Sequence, residues 1–314
     1  MIDIIEQELV NLSPRLFNTL LIDHTTKKNI CWGTEYYMHL GHDYYPQAPI
    51  KKELITGKNT NVIQPRVERE TKEQLKRTKE NAEVFTPSWV CNEQNNLIDD
   101  AWFGNKNVFN ITKEQSWTTN EQQILFPEGK NWKDYVDSKR LEISCGEAPY
   151  LVSRYDTVTG LEIPIKDRVG LLDRKLRIVN ENTSNEVEWF KWTKRAFESS
   201  YGYDYQGDNL LIARENLLYT FIEYMEYKFG HKPSEKQLQD IARIISWNIW
   251  QMDGITFSAP YSERPRVQSQ LTIFDLMGEP ESNETEPIPC KIFDWRAKKS
   301  LEFRKMIDGG NTND

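Results

Sequence analysis

The sequence predicts an α/β protein: an open, mainly parallel sheet with helices between the strands, preceded by a small α+β region over residues 1–70. Three observations predict it. Short β-rich runs alternate with longer amphipathic stretches from about residue 140 onward, three strand-to-loop junctions carry an acidic residue (Glu142, Asp204 and Asp253), and turn residues follow two of them closely. Repeated βα units of this kind build sheets whose ligands bind beyond the carboxyl ends of the strands.

Composition sets the outer limits. A chain of 314 residues with 38% hydrophobic and 28% charged residues, ten of them tryptophan, can bury a sizeable core and is not disordered. The start, MIDIIEQELVNL, lacks the basic segment and apolar core of a secretion signal, and no apolar run reaches membrane-spanning length, so a cytoplasmic protein is expected. Cys31, Cys91, Cys145 and Cys290 are widely spaced with no CxxC, which argues for reduced thiols instead of a zinc ribbon or a disulfide framework. His39 and His42 have ligand-like spacing but no third ligand nearby, and no metal is expected. The net charge of −8 gives no global footprint for nucleic acid. Two local patches are basic: residues 51–79 hold nine Lys or Arg against four Glu, and Lys166 to Arg177 holds five cations against Asp167 and Asp173. Both patches permit DNA contact.

In chain order, residues 1–12 read as a helix stopped near Pro14. Phe17 to Ile22 and Asn29 to Trp32, joined by a polar turn, read as a β-hairpin. Thr71 to Ala82 and Trp89 to Trp102 have helical character, and a short strand is expected near Asn107 to Ile111. Leu141 begins a strand, Cys145-Gly146 a turn, and Ala148 to Tyr155 a helix start. The stretch from Thr157 to Asn182 has β-character, while Glu186 to Ser199 reads as an amphipathic helix. Tyr201 to Tyr205 is a strand, followed from Asp208 by a helix with Leu211, Leu218, Ile222, Met225 and Phe229 on one face, closed by Gly230. Ser234 and Gln237 form a capping box, and Ile244 to Trp250 a β-rich run. Residues 278–289 read as an acidic linker, 291–296 as a strand and 298–307 as a helix.

The chemistry centres on LEISCGEAPYLVSRYD at 141–156. Small residues after a parallel strand let a ligand approach the backbone, and Glu142 can accept from an amino group or hydroxyl there.

Four segments, ENAEVFTPSWVC at 80–91, LEISCGEAPY at 141–150, YGYDYQGDNLLIAREN at 201–216 and NIWQMDG at 248–254, resemble bacterial DNA adenine-N6 methyltransferases, the modification subunits of restriction systems. The resemblance spans roughly residues 60–255, and the order of the segments is similar to the gamma arrangement of that family. It implies a Rossmann-like methyltransferase core over residues 71–314, incomplete at its end, with S-adenosylmethionine as cofactor. Phe85, Thr86 and Pro87 match the segment that lies against the cofactor; Glu142, Cys145 and Gly146 match the acidic strand residue and turn, with Ala148 where a second glycine is usual. Asp204 matches the acidic residue that binds the ribose hydroxyls, and Asp253 the carboxylate that accepts from the adenine amino group.

The family's catalytic motif, Asn or Asp followed by Pro-Pro and an aromatic, does not occur in the sequence; Ser258-Ala259-Pro260-Tyr261 is the nearest approximation. In the family that motif follows a strand and helix like those expected at 291–307. A recognition domain is missing too. Two functions remain open: a DNA adenine-N6 methyltransferase or its cofactor-binding portion, partnered by DNA and by a separate C-terminal fragment or restriction subunit, or a catalytically silent methyltransferase-like protein that regulates or antagonises a restriction system.

Overall fold

The structure is a computed structural model that describes residues 6–81, 83–84, 86–265 and 285–308. It is a mixed α/β fold around three parallel strands, β3 (Arg140–Ile143), β4 (Ser200–Asp204) and β5 (Ile249–Gln251), in the order β3-β4-β5. Leu141 pairs with Tyr201, Ile143 with Tyr203, and Asp204 with Gln251. Among the described residues β3 is an edge strand, pairing only with β4.

The crossovers are helical. From β3 to β4 the chain runs through α6 (Leu171–Asn182) and α7 (Glu186–Glu198), and from β4 to β5 through α8 (Gly207–Phe229) and α9 (Glu235–Asn248). Each boundary has a local cause. Asn185 accepts from Glu188 N at the start of α7, Gly230 takes a left-handed φ of 74° to end α8, and Ser234 and Gln237 form the expected capping box of α9. Helix α8 is buried on nearly every side through its first 19 residues, so it is the central pillar of the fold. Its Arg214 is fully buried and donates to the carbonyls of Ile22, Ser246 and Ile249. One cation thereby satisfies carbonyls where α2 and α9 end, groups that lack helical partners and favour positive charge.

One hydrophobic cluster runs from Leu9 to Ile249, so the first 70 residues share a core with the rest of the chain. In that region α1 (Glu6–Leu12) and α2 (Pro14–Leu21) precede short 3₁₀ turns, with no strand among its described residues. The expected hairpin at 17–32 is therefore corrected: Ser13 caps and Pro14 opens a helix that buries Leu16, Phe17, Leu20 and Leu21, leaving only isolated bridges Ile22↔Asn29 and Cys31↔Pro49. A short apolar run fits both periodicities, and the cap decides it.

The helices α3 (Thr71–Asn81), α4 (Ser88–Phe103) and α5 (Trp132–Asp137) and the hairpin of β1 (Asn110–Lys113) with β2 (Ser116–Thr119) lie between that region and the sheet in sequence. Three more expectations change. Leu171–Asn182 is helical, because Leu172, Leu176 and Val179 recur at helical spacing and are buried. The run Ile244 to Trp250 is mostly the end of α9, with only Ile249–Gln251 extended. Residues 291–307 form a hairpin of β8 (Lys291–Asp294) and β9 (Lys299–Glu302) before α10 (Phe303–Asp308), since Asp294 accepts from Arg296 N and Ala297 N, both at 2.9 Å, and turns the chain back. That hairpin does not extend the parallel sheet.

The expected linker lies partly outside the described residues, and its end is β7 (Thr285–Pro289), paired with β6 (Ser258–Pro265). A second, smaller core joins Tyr203, Trp250 and Met252 of the sheet region to Ala259, Cys290, Ile292 and Phe303. It leaves β3 uncovered on the same face, where Leu141 is 45% and Ile143 66% exposed. Among the described residues no helix is long and apolar enough to cross a membrane.

Candidate functional site

A cleft of about 350 Å³ opens at the carboxyl ends of β3 and β4. That volume falls in the range, roughly 300–1,000 Å³, of small-molecule sites. Thr86, Glu142, Cys145, Gly146 and Asp204 all line it, so five residues drawn from three separate sequence segments meet there. Phe85 lies outside the described residues. Pro87 and Asp253 are not among the lining residues. Pro87 occupies the N-cap position of α4. Asp253, beyond β5, accepts from Ile255 N at 2.8 Å and Thr256 N at 3.1 Å, so its carboxylate holds its own turn.

The turn after β3 shows why small residues stand there. Ser144, Gly146 and Ala148 all have left-handed φ angles, of 47°, 53° and 62°. Two of these positions strain a residue that carries a Cβ. Ala148 thus adopts the backbone that a glycine would, but its methyl is fully buried in the main core and not in the cleft, so it does not narrow the ligand's approach. No helix starts at Ala148. The chain makes one turn instead, with Leu151 N and Val152 N donating to Ala148 O, while Glu142 takes the N–H groups of Tyr150 and Leu151 at 3.2 and 3.1 Å.

Those two bonds do not offset the burial of Glu142, whose carboxyl is pushed up to about 8. Asp204 accepts from Gly146 N and Gln206 N, both at 2.8 Å, and burial still raises it to about 6. Burial likewise drives the Cys145 thiol well above its ordinary value, which removes it as a nucleophile and leaves it as a small packing residue. The FTP segment is tied to the same turn region. Asp156 accepts from Ser88 N at 2.7 Å, placing a carboxylate at the start of α4, and Thr157 Oγ1 donates to Thr86 O at 3.0 Å.

Sequence reasoning missed the other wall. Glu83, Tyr150, Tyr205, Gln206 and Asn209 also line the cleft. Behind them lies a buried ionic network in which Glu83 pairs with Arg69 at 2.9 Å and Arg77 at 2.6 Å, and Asp208 with Arg77 at 2.8 Å and Arg69 at 3.6 Å. Tyr37 donates to Asp208 at 2.9 Å. Burial pushes Asp208 up, but Arg77 and Arg69 outweigh it and hold the carboxyl below its ordinary value. Glu73, 3.8 Å from Arg69 and less buried, adds a third carboxylate, so each buried arginine is paired, as burial of charge requires. The basic character of residues 66–77 was visible in the sequence; its distant carboxylate partner Asp208, 131 positions from Arg77 and 139 from Arg69, was not.

The network also revises the basic patches. Arg69 and Arg77 are internal, and in the second patch Arg168, Arg174 and Lys175 are buried while Arg177 pairs with Glu181 at 2.8 Å. Arg168 is bound to Glu223 and Arg174 to Asp99. Lys166 to Arg177 is therefore not a DNA-facing surface. Lys51, Lys58, Lys72, Lys76 and Lys79 remain exposed.

Ser258 to Tyr261 starts β6 across a register shift, and Tyr261 is 55% exposed with its ring 6.2 Å from that of Tyr205 at the cleft. Pro260 and Tyr261 thus lie in a strand of the hairpin, not in a loop beside a parallel strand.

Compared with known proteins, the chain matches no family model, no curated protein and no solved structure.

Proposed function

We propose that this chain is the cofactor-binding portion of a DNA adenine-N6 methyltransferase, the modification subunit of a restriction system, with a Rossmann-like arrangement of its sheet and a cytoplasmic setting. One observation carries the reading: among the described residues, Glu83, Glu142 and Asp204 line the cleft and no Lys, Arg or His does. Such a site disfavours phosphates and carboxylates lacking a neutralising cation and favours a hydroxylated, positively charged ligand. S-adenosylmethionine has that chemistry, with a sulfonium, an ammonium and a ribose. The donor set fits it: Asp204 accepts hydroxyl protons, Glu142, its carboxyl raised by burial, offers a polar group at the turn, and Gly146 itself places no side chain in the ligand's way.

When bound, S-adenosylmethionine supplies an electrophilic methyl group. The protein's part is to hold and orient, which concentrates reactants without covalent chemistry. Holding a flipped adenine needs an acceptor for its amino protons and an aromatic surface. The Asn-Pro-Pro-aromatic motif is not in the sequence, so this reading assigns it to a separate polypeptide. The edge of β3, unpaired among the described residues and with Leu141 and Ile143 exposed, supports a shared sheet there, since an open strand accepts another. DNA would meet the exposed lysines of residues 51–79.

The second reading, a catalytically silent methyltransferase-like protein acting on a restriction system, is favoured by Asp253, whose carboxylate is engaged by its own loop. Calorimetry separates cofactor binding from none: S-adenosylmethionine should bind and ATP should not. A radiolabelled methyl-transfer assay on mixed-sequence DNA then divides the two readings. The chain alone should be inactive, and addition of a fragment carrying the motif should restore transfer under the first reading only.

A further inference from the structure

Two side-chain amides on the cleft wall are aimed by arginine. Asn209 Oδ1 accepts from Arg69 Nη2 at 3.1 Å, and Gln206 Oε1 accepts from Arg77 Nη2 at 2.9 Å. A guanidinium only donates, so each amide must turn its oxygen to the arginine and its NH₂ away. Both residues line the cleft, and among the described residues neither NH₂ has a hydrogen-bond partner. Asn209 is only 1% exposed. Gln206 is half-buried, and since both residues line the cleft, their NH₂ groups are free to meet a ligand there. The arginines have little freedom to turn the amides elsewhere, because Glu83 and Asp208 grip both of them.

We propose that Gln206 and Asn209 are specificity-determining ligand contacts, donating their amide protons to the hydroxyl oxygens of the ligand's sugar beside Asp204. The inference rests on the cofactor reading above and names two residues that it leaves unassigned. Gln206 is bound through its own backbone N–H to Asp204 Oδ1 at 2.8 Å, so a carboxylate acceptor and amide donors lie side by side. A hydroxyl is the group that uses both: it gives its proton to the carboxylate and accepts from the amide. A phosphate in its place can accept but meets the carboxylate's charge. The cleft is thereby matched to an unphosphorylated ribose.

The test uses isosteric changes. Gln206→Glu and Asn209→Asp keep an oxygen facing each arginine and remove only the NH₂. If the amides merely hold the arginines, both variants bind S-adenosylmethionine at least as well as wild type, since the pair to arginine becomes ionic and the added charge attracts a cation. The proposal requires the opposite: each variant binds at least tenfold more weakly by calorimetry, with an unchanged thermal midpoint. The second arm needs no variant. Wild type should bind the 2′,3′-dideoxy analogue of S-adenosylhomocysteine at least tenfold more weakly than S-adenosylhomocysteine itself, and the variants should show a smaller difference. Variants within twofold of wild type, or a dideoxy analogue that binds equally well, overturn the inference and leave the cofactor reading standing. No binding of S-adenosylmethionine to wild type overturns both.

Discussion

Asp204→Asn should separate folding from ligand binding. Asp204 is buried at the floor of the cleft, and its carboxyl is raised from 3.8 to about 6. The sign follows from proton linkage: a raised acid contributes stability that is present below pH 3.8 and lost as the pH rises through about 6. At pH 7 the folded protein therefore carries an ionised group at a net cost of about 3 kcal/mol, roughly two units at 1.4 kcal/mol each. Asparagine removes that cost. It also turns an NH₂ toward either Gly146 N or Gln206 N, leaving one donor unsatisfied at about 1–3 kcal/mol. The two effects nearly cancel, and urea denaturation at pH 7.5 should place the variant within about 2 kcal/mol of wild type. Binding has no such compensation. Losing a charged acceptor costs about 1.5–3 kcal/mol, or roughly 10- to 100-fold in affinity for S-adenosylmethionine. Wild-type affinity should also weaken as the pH falls below about 6, while the variant's should not share that dependence. Unchanged affinity in the variant would refute the placement of Asp204 against the ligand, and a stability loss above about 4 kcal/mol would show that its two backbone bonds outweigh its desolvation.

The remaining predictions concern the frame of the site. Ala148→Gly relieves a left-handed Cβ worth about 1–2 kcal/mol and adds about 0.4–1 kcal/mol of unfolded-state entropy, so a gain of up to about 1 kcal/mol is expected by denaturation. Glu142 is raised from 4.5 to about 8, so its contribution to stability is lost as pH climbs through that window; Glu142→Gln should flatten stability between pH 5 and 8.5, and an unaltered pH profile would count against a buried neutral carboxyl. Arg77→Leu leaves Asp208 and Glu83 short of a cation and should cost about 3–5 kcal/mol, read as a shift of the denaturation midpoint.

The parts of the fold that the sequence made legible are those with local determinants. The capping box at Ser234 and the left-handed Gly230 mark the ends of α9 and α8 in both sequence and structure because backbone groups there are satisfied within a few residues. Illegible elements had apolar runs that suit either period. FNTLLI at 17–22 and IISWNIW at 244–250 are rich in residues that favour strands, yet a helix-start cap upstream of each, Ser13 in one case and Ser234 in the other, commits the chain to a helix. At 294–298 the decision belonged to a single Asp-initiated turn, which a strand-then-helix reading had no reason to notice.

The cleft divides along the same line, and the division bears on what kind of site it is. Its strand-end carboxylates are visible in the sequence because each follows a β-rich run, and the fold brings Glu142 and Asp204 together through the pairing of β3 with β4. Its opposite wall depends on pairings across 129 and 140 positions, Arg77 with Gln206 and Arg69 with Asn209, which no spacing rule foresees. The strand-end residues read from the sequence are acceptors, whereas the two amides among those missed, Gln206 and Asn209, bring donors. A wall of acceptors alone suits a cation of any shape; donors fixed at the same end demand oxygen atoms in a set arrangement. Under the proposal above, selectivity in this cleft would depend less on the carboxylates than on the buried arginines that orient the amides. The segment at 66–81 thereby supports the cleft wall although none of its three arginines, Arg66, Arg69 and Arg77, lines the cleft.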